Sequence, residues 1–478
     1  MLMPRQGITR LNSALRAMMG RQVRPEKEIV HAMDPSVGES RAMKDRLRGQ
    51  LQKELHDVLS AWFPRSVDRE YGGFLCDFDN RWRPSGLQHK MLEYQARQTI
   101  AAARGAHHFA RPDVLREAAQ HGFRYLKETM WDSGQGGWFR MLDRIGNPLE
   151  SATKHGHGSA YAISACVACY ELTGDPECLA LAKSGFAWLE AHAHDGRHGG
   201  YFVFYQRDGT PILHSDQQRS SQTRDAIGTP IGLKDANTTT DLLACFADLY
   251  RVWPDAVLRE RLAELLSILR DRLVVAPGVM HMYAHPDWTP VPDFARYGQI
   301  LHSADHLLSA SQALAGAVDP ISEQVAKGMV DTMLRVAWDP QKGGFYLAGS
   351  SFGPTYIEDM TVFVGNKCWW FQATGMKALL SMAQLRPADA NEYMSYFVHL
   401  WEYVRQYLID KKYGGWFPAG LDTNPEASKR PKASLWKDSS HETQALVDCL
   451  MMLDPLSSAM QIGLEDPVGS VTSPSTSA

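Results

Sequence analysis

Histidine and carboxylate side chains set into otherwise apolar helical runs are the residues of this chain best suited to moving protons. His441 follows the polar run Trp436-Lys437-Asp438-Ser439-Ser440, and Asp241 lies one turn after Asn237 among Leu242, Leu243 and Phe246. Burying a lone carboxylate costs several kcal/mol, so Asp241 is expected to be functional or paired, with Arg97 or a neighbouring base as its plainer partner. His302, Asp305 and His306 share one helical run. Imidazole titrates near neutrality, so a histidine facing a carboxylate or a second histidine across a pocket makes a general acid/base pair. The spacing of His302 and His306 also suits a metal, but no third ligand follows from spacing, and no metal is expected. Adjacent Trp369 and Trp370 point about 100° apart on a helix, so one is expected on a ligand and the other in the core.

Other chemistries find little support. There is no glycine-rich dinucleotide or phosphate loop and no tight Cys/His cluster, so no cofactor is expected. Cys166 and Cys169 sit in an apolar run and read as small core residues. Seven cysteines in 478 residues do not resemble a disulfide framework, which favours a cytoplasmic setting. A net charge of −4 leaves no basic footprint for nucleic acid, and no apolar run is long enough for a membrane span. Residues 1–25 are rich in arginine and nearly free of acids. That composition resembles a transit peptide; an arm on the domain or a disordered leader is the plainer expectation, and no secretory signal is apparent.

These side chains need a scaffold that brings distant segments together, and the glycines indicate one. Tyr71-Gly72-Gly73-Phe74, Gly136-Gly137-Trp138-Phe139, Gly199-Gly200-Tyr201-Phe202, Gly343-Gly344-Phe345-Tyr346 and Gly414-Gly415-Trp416-Phe417 repeat one signature, with Pro277-Gly278-Val279-Met280 a degenerate copy. An amphipathic run precedes each copy. A polar loop, a basic residue (Lys90, Lys154, Lys234, Arg296, Lys367, Lys437) and a more uniformly apolar run follow it. Half-apolar helices belong outside and wholly apolar ones inside. Six such hairpins predict an all-α fold: a single (α/α)6 barrel over 42–460, with a basic arm at 1–41 and a disordered Ser/Thr/Pro-rich tail at 461–478.

In such a ring the inner helices start around one mouth, where their unpaired backbone donors suit hydroxyl-rich or anionic ligands. The basic residues at those starts either line the pocket or point outward to loop carboxylates. The polar loops 203–233 and 345–366 exceed ordinary connections and are expected to act as lids.

The Gly-Gly units, with Leu92-Glu93-Tyr94-Gln95-Ala96-Arg97, Lys234-Asp235-Ala236-Asn237-Thr238, Lys367-Cys368-Trp369-Trp370-Phe371-Gln372-Ala373 and Trp436-Lys437-Asp438-Ser439-Ser440-His441, resemble the N-acylglucosamine 2-epimerase / cellobiose 2-epimerase superfamily across about 45–455. The resemblance implies proton transfer at C2 of an open-chain sugar by two histidines, through an enediolate held by arginine. It maps a substrate arginine onto Arg97, an asparagine onto Asn237, Trp-Trp-x-Gln onto Trp369, Trp370 and Gln372, and one catalytic histidine onto His441. The other catalytic histidine becomes Asp241, and the glutamate three residues on becomes Ala244. Gly-His-Asp-x-Glu becomes Gly298-Gln299-Ile300-Leu301-His302. Thr374 and Gln444 replace a glutamate and an arginine, and His157 a tyrosine.

The leading expectation is therefore a sugar isomerase or 2-epimerase. His441 would be one acid/base and Asp241 or His302 the other, with Arg97, Lys154, His157, Asn237, Trp369, Trp370, Gln372 and Lys437 as substrate-binding candidates. A lyase or hydrolase drawing on Glu358, Asp359 or Asp216, and a non-catalytic binding protein, are the alternatives. The expected partner is a carbohydrate-like small molecule, with the chain a monomer or homodimer and neither nucleic acid nor membrane bound.

Overall fold

The computed structural model describes residues 37–454 except 150–151, 218–221, 294, 352–355, 358–359 and 362; the tail and most of the basic arm lie outside the described residues. Residues from Arg46 on form one compact unit, and those before it a unit of their own.

Twelve α-helices are described, and they alternate. The outer ones are α1 (Val37–Trp62), α3 (Pro112–Tyr125), α5 (Pro176–His192), α7 (Ala256–Ile268), α9 (Pro320–Val336) and α11 (Ala390–Tyr403). The inner ones are α2 (Leu92–Gly105), α4 (Gly156–Thr173), α6 (Ala236–Val252), α8 (Tyr297–Ala315), α10 (Trp369–Leu385) and α12 (Ser440–Leu453). Each inner helix packs on the next, and α12 packs back on α2, so the ring closes as the (α/α)6 barrel expected. Trp401 and Trp416 complete the closure by donating to Gln50 and Glu54 of α1, each at 2.8 Å.

Local chemistry sets the helix ends. Asp175 and Asp319 cap α5 and α9 by accepting backbone N–H groups, each just ahead of a proline whose missing N–H costs nothing there. Gly174 and Gly316, at φ 70° and 77°, end α4 and α8 in the left-handed conformation.

The repeated loop motif is more specific than a glycine pair. Asp68, Asp132, Asp195, Asp339 and Asp410 each stand four residues before the first glycine, and each accepts backbone N–H groups two and three residues on. The second glycine must be bare: at Gly73 (φ 64°) a Cβ would lie 2.5 Å from Gln95 Oε1 and 2.8 Å from the Tyr125 ring.

Of the two courses open to the basic residues, Lys90, Lys154, Lys234 and Lys367 take the second and turn to loop carboxylates. They lie ahead of the inner helices, mostly in two-residue strands. Lys90 pairs with Leu142, Lys154 with Tyr205 and Lys234 with Ala284, all antiparallel. From there the ammonium groups turn into the loop motif. Lys90 reaches Asp68 at 2.8 Å, Lys234 reaches Asp195 at 2.7 Å, and Lys367 reaches Asp339 at 2.7 Å, and each also holds the carbonyl of the first glycine. They are structural staples. Lys234, nearly inaccessible, also donates to Pro286 O at 2.9 Å. Lys234→Met therefore strands Asp195 without a cation and is expected to destabilise the fold by about 3–5 kcal/mol, read as a lowered urea midpoint.

Candidate active site

The first two turns of the inner helices each send one polar or aromatic side chain into the lumen: Arg97 from α2, His157 from α4, Asp241 from α6, His302 from α8, Trp370 from α10 and His441 from α12. Asp241 is the hub. Its Oδ2 is 3.1 Å from His157 Nε2, and its Oδ1 is 3.1 Å from His302 Nε2 and accepts the Tyr161 hydroxyl at 3.2 Å. His157 turns its other nitrogen, Nδ1, to Glu93 Oε1 at 3.3 Å, and Arg140 Nε lies 3.9 Å beyond. The result is a chain: Glu93, His157, Asp241, His302.

Burial sets the charges, and the partners override it. Burial alone would lower the His157 pKa, but hydrogen bonds to Asp241 and Glu93 lift it to about 9. Burial would raise Glu93, yet His157 and the charge of Arg140 bring it down to about 2. Asp241 is likewise held well below the carboxylate range, against burial, by its bonds from His157 and His302. At neutral pH an imidazolium thus sits between two carboxylates.

His441 stands apart from this chain. Its ring stacks on Trp370 with centroids 5.4 Å apart and lies 6.5 Å from the ring of His302. Burial, with the charges of Arg97 and His302 nearby, holds it well below the ordinary histidine pKa, so it is neutral and ready to accept a proton. The Arg97 guanidinium lies 4.1 Å over the Tyr161 ring and 3.8 Å from Asp438 Oδ2. Asn237 is half-buried at the same end of α6, and its side chain makes no hydrogen bond among the described residues.

Three expected ligand contacts are corrected. Gln372 is fully buried and clamps the backbone of Phe345, accepting its N–H at 2.7 Å and donating to its carbonyl at 2.9 Å. Gln95 does the same to Phe74 in the first repeat. Lys154 is wholly buried beside Asp132 at 3.2 Å and donates to Arg207 O at 2.6 Å. Lys437 is taken by Glu442 at 2.8 Å and lies 4.8 Å over Trp369, which is the tryptophan packed in the core. Residue type and position marked all of these, but their side chains point into the wall. Glu93, Tyr161, Arg140, Asp438 and Trp436 were not named as site residues. Glu93 and Tyr161 had a signal, since each stands one turn from Arg97 or His157 on the same helix face.

A cleft of about 1530 Å³ leads to this cluster, walled by Arg140, Phe204, Arg207, Arg224, Asp225 and Trp436. It does not include the histidines themselves. Arg140 joins it to Glu93, and Trp436, with its ring 6.2 Å from His157, joins it to the chain. The loop at 203–233 supplies much of that wall, tied down by Asp225 on His155 at 2.9 Å. Residues 352–355, 358–359 and 362 of the loop at 345–366 lie outside the described residues. Among the described residues no three His, Cys, Asp or Glu side chains converge as metal ligands, no helix is long and apolar enough to cross a membrane, and every cysteine is free.

The family model described as N-acylglucosamine 2-epimerase matches residues 251–441. A cellobiose 2-epimerase of Bacteroides fragilis is 24% identical over 420 residues, covering 85% of this chain and 100% of the relative. The chain is thus similar to N-acylglucosamine 2-epimerases over residues 251–441 and to cellobiose 2-epimerases over most of its length. Also similar are a D-mannose isomerase of Marinomonas mediterranea, 22% identical over 84% of this chain and 97% of its own length, and the structure of a cellobiose 2-epimerase from Spirochaeta thermophila. The latter has a TM-score of 0.75 and 24% identity, and covers 88% of this chain and 100% of that one.

Within the superfamily pattern the geometry shows how the departures fit together. Gln299, at the histidine position of Gly-His-Asp-x-Glu, is buried, with its Nε2 unpartnered. One turn along the same helix His302 enters the lumen instead. Asp241, in place of a histidine, and His157, in place of a tyrosine, bond to each other, so these two departures form one unit.

Proposed function

We propose that this chain interconverts a reducing sugar with its C2 epimer or the matching ketose, by moving a proton at the carbon beside the carbonyl. One observation carries the reading: His302 and His441 approach one point of the lumen from α8 and α12, with 6.5 Å between their rings. Neutral His441 takes the proton from carbon. His302, steadied by Asp241, returns one on the other side. Asp241 has both oxygens occupied and its pKa depressed, which suits a positioning residue rather than the second acid. Arg97 opposes the charge that develops on the enediolate oxygens. Trp370 offers a flat apolar face and Asn237 an amide for hydroxyls.

The names of the relatives point to cellobiose and mannose as the first sugars to try. The cleft of about 1530 Å³ exceeds an ordinary small-molecule site of about 300–1,000 Å³ and favours a disaccharide. Nothing favours the lyase, hydrolase or binding-only readings: Asp216 is exposed, and the side chains of Glu358 and Asp359 lie outside the described residues.

The test is incubation with cellobiose and with mannose in heavy water, followed by NMR. The expected result is an epimer or ketose carrying solvent deuterium at the carbon that exchanged. Conversion without exchange would reject the enediolate route, and no conversion of any reducing sugar would reject the enzyme reading.

A further inference from the structure

His157 and Asp241 bond to each other from two different helices, so that bond is only as secure as the starts of α4 and α6. Each start is capped by the side chain just ahead of it. His155 Nδ1 accepts the backbone N–H of His157 at 3.1 Å, and Asp235 Oδ1 accepts that of Thr238 at 2.7 Å. The two starts abut: a Cβ on Gly156 would lie 3.0 Å from Thr238 Cγ2. The turn at 225–229 grips both caps. Asp225 Oδ2 lies 2.9 Å from His155 Nε2, and the Thr229 hydroxyl donates to Asp235 Oδ2 at 3.0 Å.

The turn is itself tied together. Asp225 Oδ1 accepts the backbone N–H groups of Ile227 at 3.0 Å and Thr229 at 2.9 Å, and the Asp225 N–H donates to Thr229 O at 2.8 Å. His155, Asp225, Thr229 and Asp235 are all buried, so water competes little for these bonds. The tautomer of His155 follows from its partners. An amide N–H needs a lone pair, so Nδ1 carries no proton and Nε2 donates one to Asp225. Without Asp225 that proton is free to move to Nδ1, where it would face the N–H of His157 and undo the cap.

We propose that the turn at 225–229 is a clasp, and that His155, Asp225, Thr229 and Asp235 are positioning residues that hold His157 against Asp241. The proposal rests on the reading of the lumen as an acid/base site for sugars. The four residues act through the two helix starts. A shift of about 1 Å at the start of α4 or α6 opens the bond between His157 and Asp241, and Asp241 then no longer holds His302 in place; misplacements of that size cost turnover. Residues 225–228 also wall the cleft. A turn that served only as wall would affect how well sugar binds. A clasp affects how fast it reacts.

The experiment uses the full chain with Asp225→Ala, Thr229→Val and Thr229→Ser, each checked for native circular dichroism. Thr229→Val keeps the shape of the side chain and removes its hydroxyl, whereas Thr229→Ser keeps the hydroxyl. On the sugar that the wild type converts, kcat is expected to fall by about tenfold or more in Asp225→Ala and Thr229→Val, and to stay within about threefold in Thr229→Ser. Hydrogen exchange read by mass spectrometry should quicken by about fivefold or more at 155–158 in Asp225→Ala and at 235–239 in Thr229→Val. A folded Thr229→Val enzyme with kcat within about twofold of wild type, its loss confined to KM, overturns the clasp. So does a Thr229→Ser enzyme as slow as Thr229→Val. Should Asp225→Ala not fold, the two Thr229 variants decide. A wild type that converts no sugar ends the functional reading, and exchange then decides the clasp alone: quickening at the helix starts upholds it, and quickening confined to the turn overturns it.

Discussion

His441→Ala is expected to lower kcat by about 10²–10⁴-fold, the usual worth of a positioned acid/base, and to abolish solvent deuterium incorporation at the sugar carbon. The ring is partly accessible and stacks on only one face of Trp370, so the variant should fold and retain binding through Arg97, Asn237 and Trp370. The pH profile offers a sharper check. His441 must be neutral to take a proton, and burial and nearby cations hold its pKa well below the ordinary 6.5. The acid limb of kcat/KM should therefore fall below pH 6.5 in the wild type. A limb at or above that value, or a His441→Ala enzyme that still exchanges deuterium, would remove His441 from the chemistry.

Asp241→Asn should damage both folding and turnover. The carboxylate bonds to His157 and His302 at 3.1 Å each, and removing its charge leaves a buried imidazolium with Glu93 alone. Losing one partner of a buried pair typically costs about 3–5 kcal/mol. The pH dependence has a definite sign. A folded pKa of about 9 for His157, above the ordinary 6.5, contributes stability fully present below pH 6.5 and lost as pH rises to about 9. Urea melts across that window should show the wild type weakening steadily and Asp241→Asn staying flatter from a lower start. Parallel curves would mean that Asp241 does not hold the His157 proton. In the folded variant kcat should fall by at least about 10²-fold, because His302 loses the group that orients it.

The barrel was legible because its cause is local and repeated. Glycine pairs mark turns, and burial alternates between half and whole from helix to helix. The aspartate of Asp-x-x-x-Gly-Gly was equally there to be read at 68, 132, 195, 339 and 410, and its lysine partner would have explained the basic residues at once. The site was legible one residue at a time. Asp241, His302 and His441 stood out as polar groups in helical runs, and His157 only as a departure from the resembled pattern. Gln372, Lys154 and Lys437 stood out equally but proved to serve the wall.

By itself, then, the sequence determined six hairpins, their order, and a short roll of groups able to move protons. Tertiary structure decided which of these meet. Periodic burial is written along the chain, because each helix reads its own neighbours every three or four residues. Pairing is written across the ring: Tyr161 and Asp241 are 80 residues apart, and Asp241 and His302 are 61. Whether a buried carboxylate faces an imidazole or an aliphatic wall depends on ångström distances between separate helices. Only the closed barrel sets those distances.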